Sequence, residues 1–300
     1  MKAVVSAAGG AFEFRDVAEP EPRAGELLVR VEASSISPRD LRLGAQRAGF
    51  RAGADFAGVV EQAAGRSGPQ VGAHVAGVLP QGCWAERIAV PARSVAAIPA
   101  DLDSAEAAAL AAAGLTALYA LDRAGPLPGR RVLVTGANGM VGRLACRIAA
   151  AGGARVTGWV RREAAAAPLA AEAIPVVAGE SVDAAGAAGP FDAVIELVGG
   201  EVLSGAVRLL AQGGRCMVVG NAAGGSASID PSEIYMNRRE LIGFALFPEL
   251  EAKPVAEGLP RLFSLAQSGA ITAPPVARLS AAEFRGAAQL GAGRTMLTFG

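Results

Sequence analysis

Along the first hundred residues, apolar and polar positions alternate in short runs separated by Gly and Pro. This is the pattern of half-buried strands. Residues 27–33, 58–61, 71–75 and 87–90 are such runs. No long helix is predicted before Asp103-Ser104, whose capping pattern opens an apolar segment over residues 105–113. After Arg130 the rhythm changes to strand and helix at α/β spacing. Strands are predicted at residues 131–134, 154–160, 191–198, 214–220 and 240–246, with a helix at 202–210. The tail adds a helix near 255–267, a strand near 276–279, a short helix and a last strand over 295–299. The order predicts an α/β chain: a mostly β N-terminal domain (1–108), a doubly wound parallel sheet of Rossmann type (109–264), and a C-terminal segment (265–300) that returns to the first domain.

The first strand of the α/β half runs straight into Gly136-Ala137-Asn138-Gly139-Met140-Val141-Gly142 and then into an Ala-rich helical pattern. A phosphate-cradling turn needs this order: a strand that stops sharply, backbone free of side chains, and a helix N-terminus aimed at the anion. The second strand, 154–160, closes a βαβ unit, which is the context that lends a glycine triplet meaning. All seven residues of the turn are therefore candidate nucleotide contacts. About twenty residues beyond the glycines, an NAD site carries an acid for the ribose 2′-hydroxyl, whereas an Arg there accommodates a 2′-phosphate. This chain has Arg161 and Arg162, with no acid until Glu163. The reading is NADP(H), and each charge-assisted bond to the phosphate is worth roughly 1.5–3 kcal/mol.

Composition narrows the classes further. Lys plus Arg number 28 and Asp plus Glu 28, so no net field draws the chain to nucleic acid or anionic lipid. Cys83, Cys146 and Cys216 are far apart, which argues against a disulfide framework or a structural zinc site. No signal-like segment opens the chain and no apolar run reaches about twenty residues, so a soluble, cytoplasmic protein is expected.

Several further segments then become legible together. Ser37-Pro38-Arg39-Asp40 resembles the Asn-Pro-x-Asp turn of the medium-chain dehydrogenase/reductase superfamily, in particular its zinc-independent, quinone oxidoreductase-like or enoyl reductase-like branch. Gly53-Ala54-Asp55-Phe56-Ala57-Gly58-Val59-Val60 is similar to that branch's Gly-x-Asp-x-Ala-Gly-x-Val. Gly82-Cys83-Trp84-Ala85-Glu86, Gly114-Leu115-Thr116-Ala117 and the closing Gly291-Ala292-Gly293-Arg294-Thr295-Met296-Leu297 resemble further motifs of the branch, in the right order over essentially the whole chain. The resemblance implies a GroES-like fold for the N-terminal domain.

It also bears on metal. Zinc-dependent relatives carry a Cys where this chain has Ser37, a His where it has Ala54, and a Cys on the segment that here reads Ala111-Ala112-Ala113. A methyl group cannot replace a thiolate or imidazole in a metal's first shell, so no catalytic zinc is expected. Without a Lewis acid, a simple ketone is a poor substrate, because charge builds on one oxygen. A quinone, or a C=C conjugated to a carbonyl, spreads that charge, and the resemblance implies the same chemistry.

The resemblance further implies that Thr116 neighbours the nicotinamide, although a bond within its own helix is an equal reading. It suggests that Phe244, Ala245 and Leu246 form the strand whose backbone meets the carboxamide. Val198, Gly220 and Asn221 follow the carboxyl ends of parallel strands, where such folds bind ligands, and Arg294 completes the candidate cofactor set. Asp40 is read either as a turn residue fixing the loop near the nicotinamide or as a polar group acting there. The Tyr that many relatives carry in the loop after Asn-Pro-x-Asp is missing; Tyr119 reads as core and Tyr235 as a loop anchor. His74, the single histidine, reads as an exposed strand residue more readily than a proton donor.

The function expected is an NADPH-dependent reductase of quinones or α,β-unsaturated carbonyls. An NADPH-binding sensor or structural protein with little turnover, and a biosynthetic tailoring enzyme on the same fold, stay open. The apolar strand at 240–246 is predicted to lie at the sheet's edge, and relatives pair this edge across a two-fold axis, so a homodimer is expected.

Overall fold

Pairing of the N-terminal strands follows their hydrophobic alternation. In the computed structural model, which describes the chain except residues 67, 274–275 and 291–293 and the side chains of Val276 and Arg294, the alternate residues Leu27, Val29, Val31 and Ala33 of one long strand are all buried. The chain divides into two units. The first holds Met1–Leu115, Leu250–Gln267 and Ala273–Gly300, and the second holds Thr116–Glu249 and Ser268–Thr272.

In the first unit β1 (Lys2–Ser6) and β2 (Phe12–Asp16) form an antiparallel pair. They are followed by β3 (Glu26–Ser35), α1 (Pro38–Gln46), β4 (Asp55–Gln62), β5 (His74–Val78), β6 (Arg87–Pro91), β7 (Val95–Ala97) and α2 (Ser104–Ala124). The second unit continues with β8 (Arg131–Thr135), α3 (Met140–Ala151), β9 (Arg155–Val160), α4 (Ala167–Ala171), β10 (Val176–Ala178), β11 (Phe191–Glu196), α5 (Gly200–Arg208), β12 (Leu210–Val218), α6 (Pro231–Tyr235), β13 (Glu240–Gly243) and α7 (Leu246–Glu249). The tail supplies α8 (Val255–Gln267), β14 (Val276–Ser280) and β15 (Arg294–Thr298).

The main sheet of the first unit runs β14-β15-β3-β4-β5-β7, with β6 also paired to β3. In its core Trp84 meets Phe12 and Phe284 edge to face and the two phenyl rings are tilted against each other, with ring centroids 5.3–5.5 Å apart. Each such side chain contributes roughly 1.5–3 kcal/mol by burial. The second unit is a parallel sheet ordered β10-β9-β8-β11-β12-β13, the doubly wound order with its switch point between β8 and β11. Leu133, Trp159, Phe191, Val194 and Leu210 pack beneath it.

Three expectations shift. α8 packs against β5 and β7, so the chain rejoins the first unit at Leu250 rather than at 265, and the earlier boundary falls inside α2 instead of at 108. The reason is that α2 is one continuous helix: Asp103 Oδ1 accepts from the Glu106 N–H at 2.8 Å, and the helix runs through Gly114, with no proline before Ala124. By length and composition α2 could cross a membrane, but 72% of its most apolar window is buried inside the protein, as in a core helix. Finally, β13 stops at Gly243. Its neighbour β12 ends at Val218, the last register pair is Val218 with Gly243, and after one more bond, Phe244 N–H to the Val218 carbonyl at 2.9 Å, the chain turns into α7. Phe244, Ala245 and Leu246 are thus not strand residues.

Candidate nucleotide and active site

β8 ends at Thr135, and the glycine-rich turn begins at the next residue. The Gly139 N–H donates to the Gly136 carbonyl at 2.9 Å, and α3 starts at Met140 with no side-chain cap bond at its N-cap, Gly139. Gly142 lies against the turn so closely that a Cβ there would sit 2.5 Å from the Gly136 oxygen and 2.8 Å from the Ala137 Cα. Ala137 is buried, with its N–H on the Trp159 carbonyl. Asn138 is oriented from α3: its Oδ1 accepts from Arg143 Nη2 at 2.6 Å, and Arg143 in turn pairs with Glu172 at 2.7 Å. A tightly packed turn that carries no side chain at Gly136, Gly139 or Gly142 and ends at an open helix start fits a dinucleotide pyrophosphate.

Arg161 and Arg162 follow the carboxyl end of β9. Both are exposed, and among the described residues neither guanidinium has a hydrogen bond or ion pair; Glu163 pairs with neither. Val198, Gly220 and Asn221 come together at the ends of β11 and β12. Gly199 (φ +80°) packs so tightly on Asn221 that any side chain there would overlap its Oδ1. The Ala223 N–H donates to the Val198 carbonyl at 2.8 Å.

Glu196, which the pattern reading passed over as a strand residue, anchors this region. It is fully buried at the end of β11. Its carboxylate accepts from Thr135 Oγ1 at 3.0 Å, the Val198 N–H at 2.9 Å and the Gly199 N–H at 3.0 Å. Its backbone carbonyl accepts from Val219 and Gly220. One residue thereby joins the ends of β8, β11 and β12. Burial raises its carboxyl above the ordinary range, against the pull of those hydrogen bonds. A lone acid closing an apolar parallel strand was the signal available in the sequence.

In the first unit, Asp40 does the work of a capping residue. Ser37 and Asp40 form a reciprocal capping box at the start of α1, and Asp40 Oδ1 also accepts from the Gly53 N–H at 3.2 Å. Burial raises its carboxyl. Asp55 is buried beside it and accepts from the backbone N–H and hydroxyl of Ser35. Burial first, then the nearby Asp40, push Asp55 up to about 7. The Cys83 thiol is fully enclosed and burial holds it well above its usual range, so it is no ready nucleophile. Trp84 is core, its Nε1 donating to the Ser35 carbonyl at 3.0 Å. His74 is exposed at the start of β5, 3.8 Å from Glu32. Thr116 is half-buried on α2 and Tyr119 is buried. Tyr235 is not an anchor: it ends α6 and is 68% exposed. The Arg294 side chain lies outside the described residues.

Residues 23–100 match the family described as the alcohol dehydrogenase GroES-like domain, and residues 141–259 the family described as zinc-binding dehydrogenase. Over 249 residues the chain is 31% identical to a quinone oxidoreductase of Lama guanicoe, covering 77% of this chain and 74% of that one. It is 30% identical over 246 residues to a zinc-type alcohol dehydrogenase-like protein of Schizosaccharomyces pombe, covering 77% and 73%.

The chain belongs to the medium-chain dehydrogenase/reductase superfamily.

An alcohol dehydrogenase superfamily protein from Novosphingobium aromaticivorans has the same fold, with a TM-score of 0.85 at 26% identity over 100% of this chain and 99% of that one. As a member of the superfamily this protein is an oxidoreductase, and its Rossmann unit implies a nicotinamide cofactor. The zinc of some members does not fit here. At the ligand positions Ser37 is committed to its capping box, Ala54 is a buried methyl, and residues 111–113 are alanines. Among the described residues no group of three or more His, Cys, Asp or Glu could hold a metal ion. No step is therefore assigned to zinc.

Proposed function

We propose that this oxidoreductase is an NADPH-dependent, zinc-independent reductase of quinones or α,β-unsaturated carbonyl compounds. The observation that carries the cofactor choice is the pair of exposed, unpaired guanidiniums, Arg161 and Arg162, at the end of β9, where an NAD enzyme needs an acid. Two cations with no competing carboxylate suit a 2′-phosphate dianion. The kinship with quinone oxidoreductases and the unsuitability of the zinc-ligand positions support the substrate class.

NADPH, when bound, supplies a hydride. The chain's own residues bind and orient it. The turn at Gly136–Gly142 would hold the pyrophosphate through its open backbone N–H groups, Glu196 fixes the Val198–Gly199 and Gly220 backbone, and the Asp40 cap fixes the Ser37–Gly53 loop. The loop over residues 41–50 carries no tyrosine, and in this reading water supplies the proton. A conjugated acceptor suits this site, because its negative charge is spread before that proton arrives.

The test is a direct comparison of NADPH and NADH dissociation constants, followed by NADPH consumption against 1,4-quinones and 2-enals. NADPH binds about a hundredfold more tightly if both arginines engage the phosphate, and Arg161→Ala with Arg162→Ala removes most of that difference. Equal affinities in the native protein would sink the cofactor reading, and tight NADPH binding without turnover across the panel would turn it into a binding protein.

A further inference from the structure

The half-buried arginines of the first unit, among the described residues, are Arg30, Arg51 and Arg87. Arg30 and Arg87 follow the rule for partly desolvated cations. Arg87 Nε donates to Glu61 at 2.7 Å, and Arg30 lies 3.3 Å from Glu32 and 3.8 Å from Glu61. Arg51 breaks the rule. Its Nε is fully enclosed with no hydrogen-bond partner, and among the described residues no carboxylate pairs with its guanidinium. The two buried acids of this unit are committed elsewhere: Asp40 to Ser37, Gly53 and Arg39, and Asp55 to Ser35. Desolvation lowers the Arg51 pKa, yet a guanidinium stays charged throughout the usable pH range. The fold thus keeps an unneutralised cation half out of water, which is unfavourable unless an anion arrives.

Its place in the chain says which anion. Arg51 is pinned by a backbone bridge to Val5, between the buried Phe50 and Ala52. Two residues on, the Gly53 N–H is held by Asp40 and the Gly53 carbonyl accepts from Cys83. The next residue is Ala54, the second of the positions that bear metal ligands in zinc-dependent relatives. Arg51 therefore carries a positive charge three residues before that position. We propose that Arg51 is a specificity-determining residue that binds a carboxylate on the substrate, so that the preferred acceptor is an α,β-unsaturated carbonyl compound bearing a carboxylate. This rests on the reductase reading above for where substrate lies.

The test uses one conjugated ketone in two charge states, 4-oxopent-2-enoate and its methyl ester, with the NADPH-saturated protein. The native enzyme favours the acid by about tenfold to a hundredfold in kcat/KM, through KM. Arg51→Gln removes that preference and leaves the ester's kcat/KM within about twofold, while Arg51→Lys keeps part of it. Two readouts do not depend on the folding of Arg51→Gln: the acid-to-ester ratio of the native enzyme, and calorimetric binding of the saturated acid 4-oxopentanoate to native protein with NADPH. Equal rates for acid and ester with no 4-oxopentanoate binding would overturn the role of Arg51 and leave the reductase reading intact. Binding of 4-oxopentanoate that Arg51→Lys weakens, with no turnover of either compound, would support the anion site while overturning the reductase.

Discussion

At the scale of single residues, the buried acids carry the clearest consequences. Asp55 has an unfolded pKa near 3.8 and a folded one of about 7. Between those values the folded protein binds the proton that the unfolded chain has lost. The stability from this group is therefore full below about pH 4 and falls as pH rises towards 7, by at most about 4 kcal/mol. Asp55→Asn keeps both contacts to Ser35, with the amide oxygen accepting from its N–H and the amide nitrogen donating to its hydroxyl. The variant gains on the native protein in melting temperature at pH 8 and not at pH 4; an equal offset at both would refute this. Glu196→Gln places an amide nitrogen against backbone donors that now share a carboxylate. NADPH affinity falls about tenfold on that account, and a dissociation constant unchanged by the substitution would show that the carboxylate does not hold the loop for the cofactor.

Elements matter where backbone approaches backbone. In the β8–α3 turn, Gly142→Ala puts a methyl 2.5 Å from the Gly136 oxygen, which is backbone and cannot swing away. The turn must open, so NADPH binding is lost and stability drops by about 1–3 kcal/mol; titration of the folded variant with NADPH checks it, and native affinity would contradict it. The same scale explains what the pattern missed. Residues 240–246 read as one apolar strand, yet β13 ends at Gly243 because β12 offers no further partner beyond Val218. Strand length here is a property of the neighbour. The length of α2 was likewise hidden: the alanine run is legible, but continuation to Ala124 depends on tertiary burial.

For the whole molecule, β13 lies at the edge of the second unit's sheet, as its position in the sequence predicted. It is short, and Leu241 is 37% exposed on it, with Tyr235 and Met236 at 68% and 67% just before it. We propose that a second copy covers this edge across a two-fold axis. A disruptive proline at Phe244 is a poor probe, since the Phe244 N–H already bonds within the chain. Leu241→Lys charges the exposed face instead and shifts the protein to monomer without unfolding it. Light scattering at micromolar concentration reads the mass, and a native monomer would rule the pairing out.

The sequence by itself determined the architecture and the nucleotide turn, because both depend on local rules. Alternation at period two makes the N-terminal strands, three glycines between a strand and a helix make the phosphate cradle, and Arg161 and Arg162 follow a strand at a fixed distance. Tertiary structure alone decided the fate of polar groups that lie far apart in sequence. It took Asp40 Oδ1 to the Gly53 N–H, made Glu196 the tie between three strand ends, and left the Arg51 Nε enclosed with no hydrogen-bond partner among the described residues. The reason is physical: the cost of a buried charge depends on which donors and acceptors the fold brings within about 3 Å, and no sequence spacing specifies that.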